Sequence, residues 1–194
     1  MTPKTASLLT DPQLHSHIVY PSTDEALIAE AVGVFASSGL RKGEAVVLVT
    51  TEARREVIER RLKADGLDVR SVENSGQLAF LEAGELLSVF LKEGMPDAAL
   101  FKTSVTRVIE RASTNPETGA ARKVRIFGEM VSLLYMGSNT PAAERLEEFW
   151  NEMVEAYSVS LLCSYSLGLN HGGHSFPQSL IDSHSHHIAE QQVH

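Results

Sequence analysis

The sequence predicts an α/β protein in which helices cover both faces of a mainly parallel sheet. Three observations support this fold class. Short, continuously apolar segments, such as residues 45–50 and 159–165, are typical of strands buried on both faces. Segments with apolar residues at helical spacing alternate with these strands along the chain. No linker-like segment or internal repeat divides the 194 residues, so one domain with a sizeable core is expected.

The first half of the chain alternates between strands and helices. Strands are predicted at residues 17–20, 45–50, 69–72 and 78–81. Helices are predicted at residues 22–39, 51–65 and 82–90. The helix at 22–39 has an N-cap residue and acidic residues in its first turn, and Gly39 ends it. Residues 1–14 are polar, and we expect them to be flexible.

The second half continues the alternation and ends in a polar tail. Its predicted elements are a helix at 97–112, a surface loop at 114–121, a strand at 124–127, a helix from Glu129, an acidic helix at 141–157 and a strand at 159–165. The domain is predicted to span residues 15–170. Residues 171–194 form a histidine-rich tail that is expected to be partly helical.

Composition and charge exclude several classes of protein. The formal net charge of -8 leaves no basic footprint, so we expect no direct nucleic-acid binding. The apolar runs are too short to span a bilayer, and the N-terminus lacks the apolar core of a signal peptide. Cys163 is the single cysteine, so no internal disulfide can form, and we expect a buried, unreactive thiol in a cytoplasmic protein.

Polar residues follow three of the predicted strands. They are Thr50 and Thr51, then Glu82, then Glu129 after Gly128. Ligands of open α/β sheets bind at the carboxyl ends of the strands, so these positions predict a ligand crevice. We expect Glu129 to face this crevice beside Thr50 and Glu82 rather than bulk solvent.

The junction after the first core strand does not resemble a nucleotide-binding loop. The motif G-x-x-x-x-G-K-[ST] is absent from the sequence, and VTTEARRE stands at that place. Glu52 would meet an incoming phosphate with negative charge. We therefore expect no ATP hydrolysis, no cofactor and no catalysis by this route. The alternative enzymatic reading is a carboxylate pair formed by Glu82 and Glu129.

Two interpretations of Glu129 remain open. It is either a crevice acceptor for a polar ligand group or a helix-start charge that interacts with the helix dipole. In the first case Glu129→Ala weakens binding by ~1–3 kcal/mol and leaves folding largely intact. In the second case the same change costs less than about 1 kcal/mol of stability. Gly128 favours the first interpretation, because glycine permits close approach of a ligand.

Further candidates lie elsewhere in the predicted sheet and helices. Arg125 either contacts a ligand or forms a salt bridge at a sheet edge. His17 starts its strand and is expected at the sheet end opposite Glu129, unless that strand is antiparallel. Trp150 is either a core residue or the wall of an apolar pocket. The candidate ligand-binding residues are Glu129, Gly128, Thr50, Thr51, Glu82, Arg125, His17, Tyr20 and Trp150.

Six of the eight histidines lie in the tail, at His171, His174, His184, His186, His187 and His194. Neutral imidazoles bind zinc and nickel. The tail contains no cysteine and no firm ligand spacing, so no specific metal site is predicted. If one exists, His184 and His186 are its candidate ligands.

Three sequence blocks in order resemble the MEDS family, a sensory domain named for methanogens, methylotrophs and DcmR. The blocks are Phe127 to Leu134 (FGEMVSLL), Leu146 to Asn151 (LEEFWN) and Leu161 to Tyr165 (LLCSY). The tail's His184-Ser-His186 resembles a closing motif of the family, and Leu81 to Glu85 resembles its second strand end, where Asp-Ala is more usual. The resemblance covers residues 15 to 188.

The resemblance implies a three-layer RecA/KaiC-like fold without the Walker A loop and a non-catalytic role in sensing small organic molecules. Members usually carry a DNA-binding or histidine-kinase module, which provides transcription regulation or signal transduction. This sequence shows neither, so we expect output through a protein partner. The alternative is a ligand-free interaction module that regulates a kinase or a sigma/anti-sigma-type partner. RecA-like domains often associate, so a homo-oligomer is expected.

Overall fold

The computed structural model describes residues 2–166 and 177–188. Six strands form the central sheet in the order β3-β2-β6-β7-β1-β8, and every pairing between them is parallel. These strands are β1 (His17–Ser22), β2 (Ala45–Thr50), β3 (Leu78–Glu82), β6 (Val124–Gly128), β7 (Val159–Ser166) and β8 (His186–His187). A separate antiparallel pair is formed by β4 (Leu91–Lys92) and β5 (Met95–Pro96).

Helices connect the strands in sequence. They are α1 (Pro3–Thr10), α2 (Glu25–Arg41), α3 (Glu52–Ala64), α4 (Val69–Asn74), α5 (Ala83–Phe90), α6 (Ala98–Ala112), α7 (Met130–Met136), α8 (Thr140–Ala156) and α9 (Gln178–Asp182). Most are capped as the sequence suggests. Asp24, for example, accepts from the backbone N–H groups of Ala26 and Leu27 at the start of α2.

The two faces of the sheet support two separate hydrophobic cores. Val46 and Leu48 of β2 face one core, which contains apolar residues of α1 to α4. Val47 and Val49 face the other, which contains residues of α5 to α9. This alternation follows from the two-residue period of a strand. The structure confirms the predicted α/β fold with a mainly parallel sheet and helices on both faces.

Two segments differ from the sequence-based predictions. Residues 69–72, predicted as a strand, belong to helix α4, because Asp68 accepts from the Ser71 N–H and caps a helical turn. The N-terminal segment, for which flexibility was expected and no helix was predicted, contains helix α1, which Thr2 caps. Leu9 of this helix is buried in the core.

The C-terminal residues 177–188 extend the sheet beyond β1. Strand β8 pairs with β1, and the Ile188 N–H donates to the Val19 carbonyl at 2.9 Å. The predicted tail histidines at 171, 174 and 194 lie outside the described residues. His17 is on the second-last strand of the described sheet, and Arg125 is on a central one.

Candidate functional site

The carboxyl ends of β2 and β6 place Thr50 and Glu129 side by side. Val49 is the register partner of Gly128, and the Glu129 backbone N–H donates to the Val49 carbonyl at 3.2 Å. The Glu129 carboxylate then accepts from the Thr50 hydroxyl at 3.0 Å and from the Thr51 N–H at 2.7 Å. Only 3% of Glu129 is exposed. The side chain is therefore a buried anchor between two strand ends.

Arg54, in the first turn of α3, supplies the positive charge of this site. Its Nε lies 2.5 Å from Glu129 Oε2 in an ion pair. Its Nη2 lies 2.6 Å from Glu25 Oε2 and donates to the Ser166 hydroxyl at 3.1 Å. Among the described residues, the buried Arg54 Nη1 has no hydrogen-bond partner. A buried donor without a partner is rare in folded proteins, so this nitrogen is a candidate contact for an acceptor oxygen.

Gly128, the last residue of β6, leaves space that a larger side chain would fill. A Cβ added to Gly128 would meet no described atom within 4 Å, although Gly128 belongs to a buried strand. We call the set formed by Thr50, Thr51, Arg54, Gly128 and Glu129 the crevice cluster. Arg54 was missed by the sequence analysis. Its position three residues after Thr51, in a helix that starts directly from a strand, was the available signal.

Glu82 ends the neighbouring strand but serves a different network. It is the register partner of Thr50, yet its carboxylate caps α5 by accepting from the Glu85 N–H at 2.6 Å. Glu129 instead pairs with Arg54. The two carboxylates thus have separate structural partners. The contribution of the crevice residues to ligand binding stays a prediction.

Arg125 lies at the amino end of β6, apart from the crevice cluster. Its guanidinium donates to the carbonyls of Leu9, Thr10 and Phe35 and pairs with Glu44. Arg125 does form a salt bridge, but not at a sheet edge as that alternative stated, because β6 lies between β2 and β7. The residue joins α1 and α2 to the sheet.

The remaining predicted site residues lie in the core or at β1. Trp150 is 2% exposed and packs edge-to-face on Phe101, with ring centroids 5.2 Å apart, as expected of a core residue. Tyr20 is 9% exposed in β1. His17 starts this parallel strand, but the register places it level with Leu161 of β7 and Ile126 in the middle of β6, so it does not lie at the opposite end of the sheet from Glu129.

A second polar cluster surrounds His17. Its side chain contacts Glu147 of α8 and Cys163 of β7, and His184 lies on the other side of Glu147. Burial opposes ionisation of Glu147, but His184 and His17 outweigh this effect and hold its pKa well below the usual range. Burial and Glu147 raise the pKa of the Cys163 thiol. His186 is outside this cluster and contacts the Ser185 hydroxyl.

A cleft of about 640 Å³ lies between β3 and α6. Its lining includes the apolar residues Leu78, Leu81 and Val108. Glu73 also lines it, and the carboxylate of Glu73 pairs with Arg55. Arg107 and Arg111 of α6 stand at its rim, and within the described chain neither guanidinium has an ion-pair partner. The cleft is within the volume range of small-molecule and peptide sites.

Three comparisons with known proteins bear on these sites. A solved structure of a KaiC-like protein from the hyperthermophilic archaeon Pyrococcus horikoshii is similar in fold, with a TM-score of 0.58 and 15% sequence identity. The similarity covers 92% of this chain and 75% of that chain. No curated protein matches the sequence.

Among residues 2–166 and 177–188, no helix has the length and apolar character needed to cross a membrane.

The family comparison extends over most of the sequence. The profile described as MEthanogen/methylotroph, DcmR Sensory domain matches residues 16–187. This range contains every strand of the sheet, the crevice cluster and the residues around His17. The chain therefore belongs to the MEDS family of sensory domains.

Proposed function

We propose that this chain is a non-catalytic sensory domain that binds a small organic molecule at the crevice cluster and signals through a protein partner. The observation that carries the proposal is the buried Arg54 Nη1, which lacks a hydrogen-bond partner among the described residues. Gly128, directly before Glu129, leaves unfilled space at the same strand end. The site lies at the carboxyl ends of parallel strands, where α/β folds bind ligands. Membership of a sensory family supports the same role.

The charges of the crevice cluster restrict the ligand. Glu129 and Glu25 already offset the charge of Arg54. A ligand needs to supply an acceptor oxygen to the free guanidinium nitrogen rather than a full negative charge. A small neutral molecule with a hydroxyl, ether or carbonyl oxygen meets this requirement. Its apolar part would occupy the space beside Gly128.

Gly128→Val is the most direct test of the crevice. A Cβ at position 128 meets no described atom within 4 Å, and β-branched residues are favourable in strands, so the fold should be retained. Native mass spectrometry of freshly purified protein would detect a retained molecule. Thermal-shift screening of short alcohols, ethers, ketones and carboxylic acids would find others. We expect the variant to lose binding of every molecule that wild type retains.

Arg54→Gln provides the complementary test of the free donor. Arg55→Gln is its matched control, because Arg55 is the next residue of α3 and pairs with Glu59 and Glu73 outside the crevice. We expect binding to weaken by about 10-fold or more in Arg54→Gln, because a hydrogen bond from a charged group is lost, and to be unchanged in Arg55→Gln.

If wild type and Gly128→Val bind the same molecules equally well, the crevice cluster is not the ligand site.

The cleft between β3 and α6 supports the second half of the proposal, the signal to a partner. Arg107 and Arg111 beside the apolar lining residues fit a protein segment that carries acidic and apolar residues together. Within the described sheet β3 pairs only with β2, so its outer edge offers backbone groups to an extended segment. Strand β2 contributes to both places, since Thr50 belongs to the crevice cluster and Val46 lines the cleft.

The cleft also favours the second candidate function, an interaction module that needs no ligand. Peptide-display selection on the whole chain separates the two candidates. We expect selected peptides to be acidic and apolar and to lose binding to the double variant Arg107→Gln/Arg111→Gln. Lys102→Gln, an exposed charge on the same helix, is the control. Peptide binding that is insensitive to the crevice ligand would favour the ligand-free module.

A further inference from the structure

Four side chains that bind metals in other proteins converge inside the domain, and none of them belongs to the crevice cluster, although Cys163 is the register partner of Gly128. They are His17 of β1, Glu147 of α8, Cys163 of β7 and His184 after α9, and their candidate ligand atoms all lie within 4.8 Å of one another. The side chains of His17, Glu147 and His184 are at most 2% exposed, and Cys163 is 1% exposed. Such a set of ionisable groups is costly to bury without compensation.

Hydrogen bonds orient both imidazoles so that their Nε2 atoms face the cluster. Asn151 donates from Nδ2 to the Ser183 carbonyl at 3.0 Å, which turns its Oδ1 towards His17 Nδ1 at 2.8 Å. An amide oxygen only accepts, so His17 Nδ1 carries the proton. His184 Nδ1 likewise lies 2.8 Å from the Leu180 carbonyl and donates to it. In its neutral form, which is the form that binds a metal, each ring therefore presents an unprotonated Nε2.

Two buried atoms of the cluster lack hydrogen-bond partners among the described residues. They are Glu147 Oε2 and His184 Nε2. Glu147 Oε1 accepts a hydrogen bond from the Tyr165 hydroxyl. Among the four candidate ligands, when both rings are neutral, the short contacts join acceptors to acceptors: His17 Nε2 lies 3.3 Å from Glu147 Oε2, and His184 Nε2 lies 3.4 Å from Glu147 Oε1. Lone pairs held this close repel each other unless a positive charge lies between them. The same nitrogen of His17 lies 3.3 Å from Cys163 Sγ.

These separations match the edges of a small coordination polyhedron. Zinc lies about 2.0–2.3 Å from nitrogen, oxygen and sulfur ligands, which places the ligand atoms of a tetrahedron about 3.3–3.7 Å apart. Imidazoles held through Nδ1 by a carbonyl or amide oxygen are the usual outer-shell arrangement of metal sites. A thiolate, two imidazoles and a carboxylate are a donor set that favours Zn²⁺ over Mg²⁺ or Ca²⁺.

We propose that His17, Glu147, Cys163 and His184 are the four ligands of a divalent metal ion and that this ion is Zn²⁺. On binding, the Cys163 thiol releases its proton to solvent and the thiolate sulfur bonds to the metal. Three ligands come from β1, α8 and β7, and the fourth comes from the C-terminal segment 177–188. Metal binding therefore ties that segment to the sheet.

Cobalt(II) substitution tests the site in the wild-type chain without any variant. A Co²⁺–thiolate bond gives an intense near-ultraviolet absorption that nitrogen and oxygen ligands do not give. We expect this band to saturate at one equivalent and to be displaced by Zn²⁺. We also expect Zn²⁺ to raise the melting temperature and to protect segment 177–188 from limited proteolysis. A folded wild-type chain without the thiolate band would overturn the proposal.

Matched variants locate the metal. Cys163→Ser should abolish the thiolate band, and His184→Gln should weaken Zn²⁺ binding by at least about 10-fold in isothermal titration calorimetry. His187→Gln is the control, since His187 is an exposed histidine three residues away. Circular dichroism establishes that each variant is folded. Unchanged Zn²⁺ affinity in His184→Gln, with loss in His187→Gln, would assign binding to the exposed tail and contradict the buried site.

Discussion

The carboxylate of Glu129 accepts a hydrogen bond from the backbone N–H of Thr51 at 2.7 Å. Glu129 stands at the N-cap of α7, yet its side chain makes no capping bond to that helix. Its carboxylate instead caps the backbone N–H of Thr51, the residue that precedes α3, and forms an ion pair with Arg54 in the first turn of α3. Glu129 therefore stabilises the start of a neighbouring helix and couples β2 to β6.

Glu129→Ala should destabilise the fold substantially. The substitution removes the acceptor of Thr50 and Thr51 and leaves the charge of Arg54 with only Glu25, which is largely exposed. Breaking a buried ion pair from one side costs about 3–5 kcal/mol. This exceeds the cost of less than about 1 kcal/mol that the helix-dipole interpretation predicts. Urea unfolding followed by circular dichroism measures the free energy of unfolding.

Two control variants sharpen this measurement. Glu129→Gln keeps an acceptor oxygen but removes the charge, so its loss of stability should lie between those of wild type and Glu129→Ala. Glu52→Ala, at an exposed position in α3, should stay within about 0.5 kcal/mol of wild type. A Glu129→Ala protein that is as stable as the Glu52→Ala protein would show that the buried pair contributes nothing.

The fold was largely predictable because its strands are buried on both faces. A continuous apolar run such as residues 45–50 has few alternatives to a central parallel strand. Residues 69–72 were misassigned because two valines favour a strand by propensity, whereas the cap at Asp68 favours a helix. The short strand β8 has no hydrophobic pattern of its own. It forms because β1 provides an edge.

The two polar clusters differ in how far the sequence reveals them. Thr50 and Glu129 follow strands directly, so the geometry of a parallel sheet brings them together. The residues around His17 come from three elements and the turn after α9, which are separated in the sequence, and no local spacing connects them. Glu147 was the hardest to find, because it lies in a helix with many acidic residues and only packing shows that it is buried.

Trp150 should act as an internal reporter of folding. Its ring is buried against Phe101, and it is the single tryptophan of the chain. We expect short-wavelength emission, weak quenching by acrylamide and a red shift on unfolding in urea. Trp150→Ala should cost about 3–5 kcal/mol of stability through lost burial and a cavity. Strong acrylamide quenching of the folded protein would contradict the core assignment.

Acid should weaken one ion-pair network on α3. The hydrogen bond from Arg55 holds the pKa of Glu59 below its ordinary value of 4.5, against an opposing effect of burial. A carboxyl group whose pKa is lowered by folding stabilises the protein above its unfolded pKa, and this contribution is lost as the pH falls through the folded value.

Glu59→Gln should therefore lower stability near neutral pH by only about 0.2–0.5 kcal/mol, since the pair is partly exposed. The difference from wild type should shrink as the pH falls below 4.5. Urea unfolding from neutral to acidic pH measures both effects. A difference that grows in acid would mean that Glu59 has a raised pKa in the folded protein.

Arg125 should be the residue on which docking of α1 depends. Its side chain is 2% exposed, and Nη1 donates to the Leu9 and Phe35 carbonyls at 3.0 and 3.1 Å. Leu9 and Thr10 lie in the last turn of α1, where backbone carbonyls lack partners within the helix.

Arg125→Met would fill a similar volume but leave those carbonyls and Glu44 unsatisfied. We expect a loss of about 3–5 kcal/mol and faster hydrogen exchange of the α1 amides than of the β7 amides. Arg122→Met is the matched control, because the Arg122 side chain makes one long hydrogen bond, from Nη1 to the Ser75 carbonyl at 3.5 Å. If hydrogen exchange of α1 in Arg125→Met equals that in Arg122→Met, α1 is held by the burial of Leu9 alone.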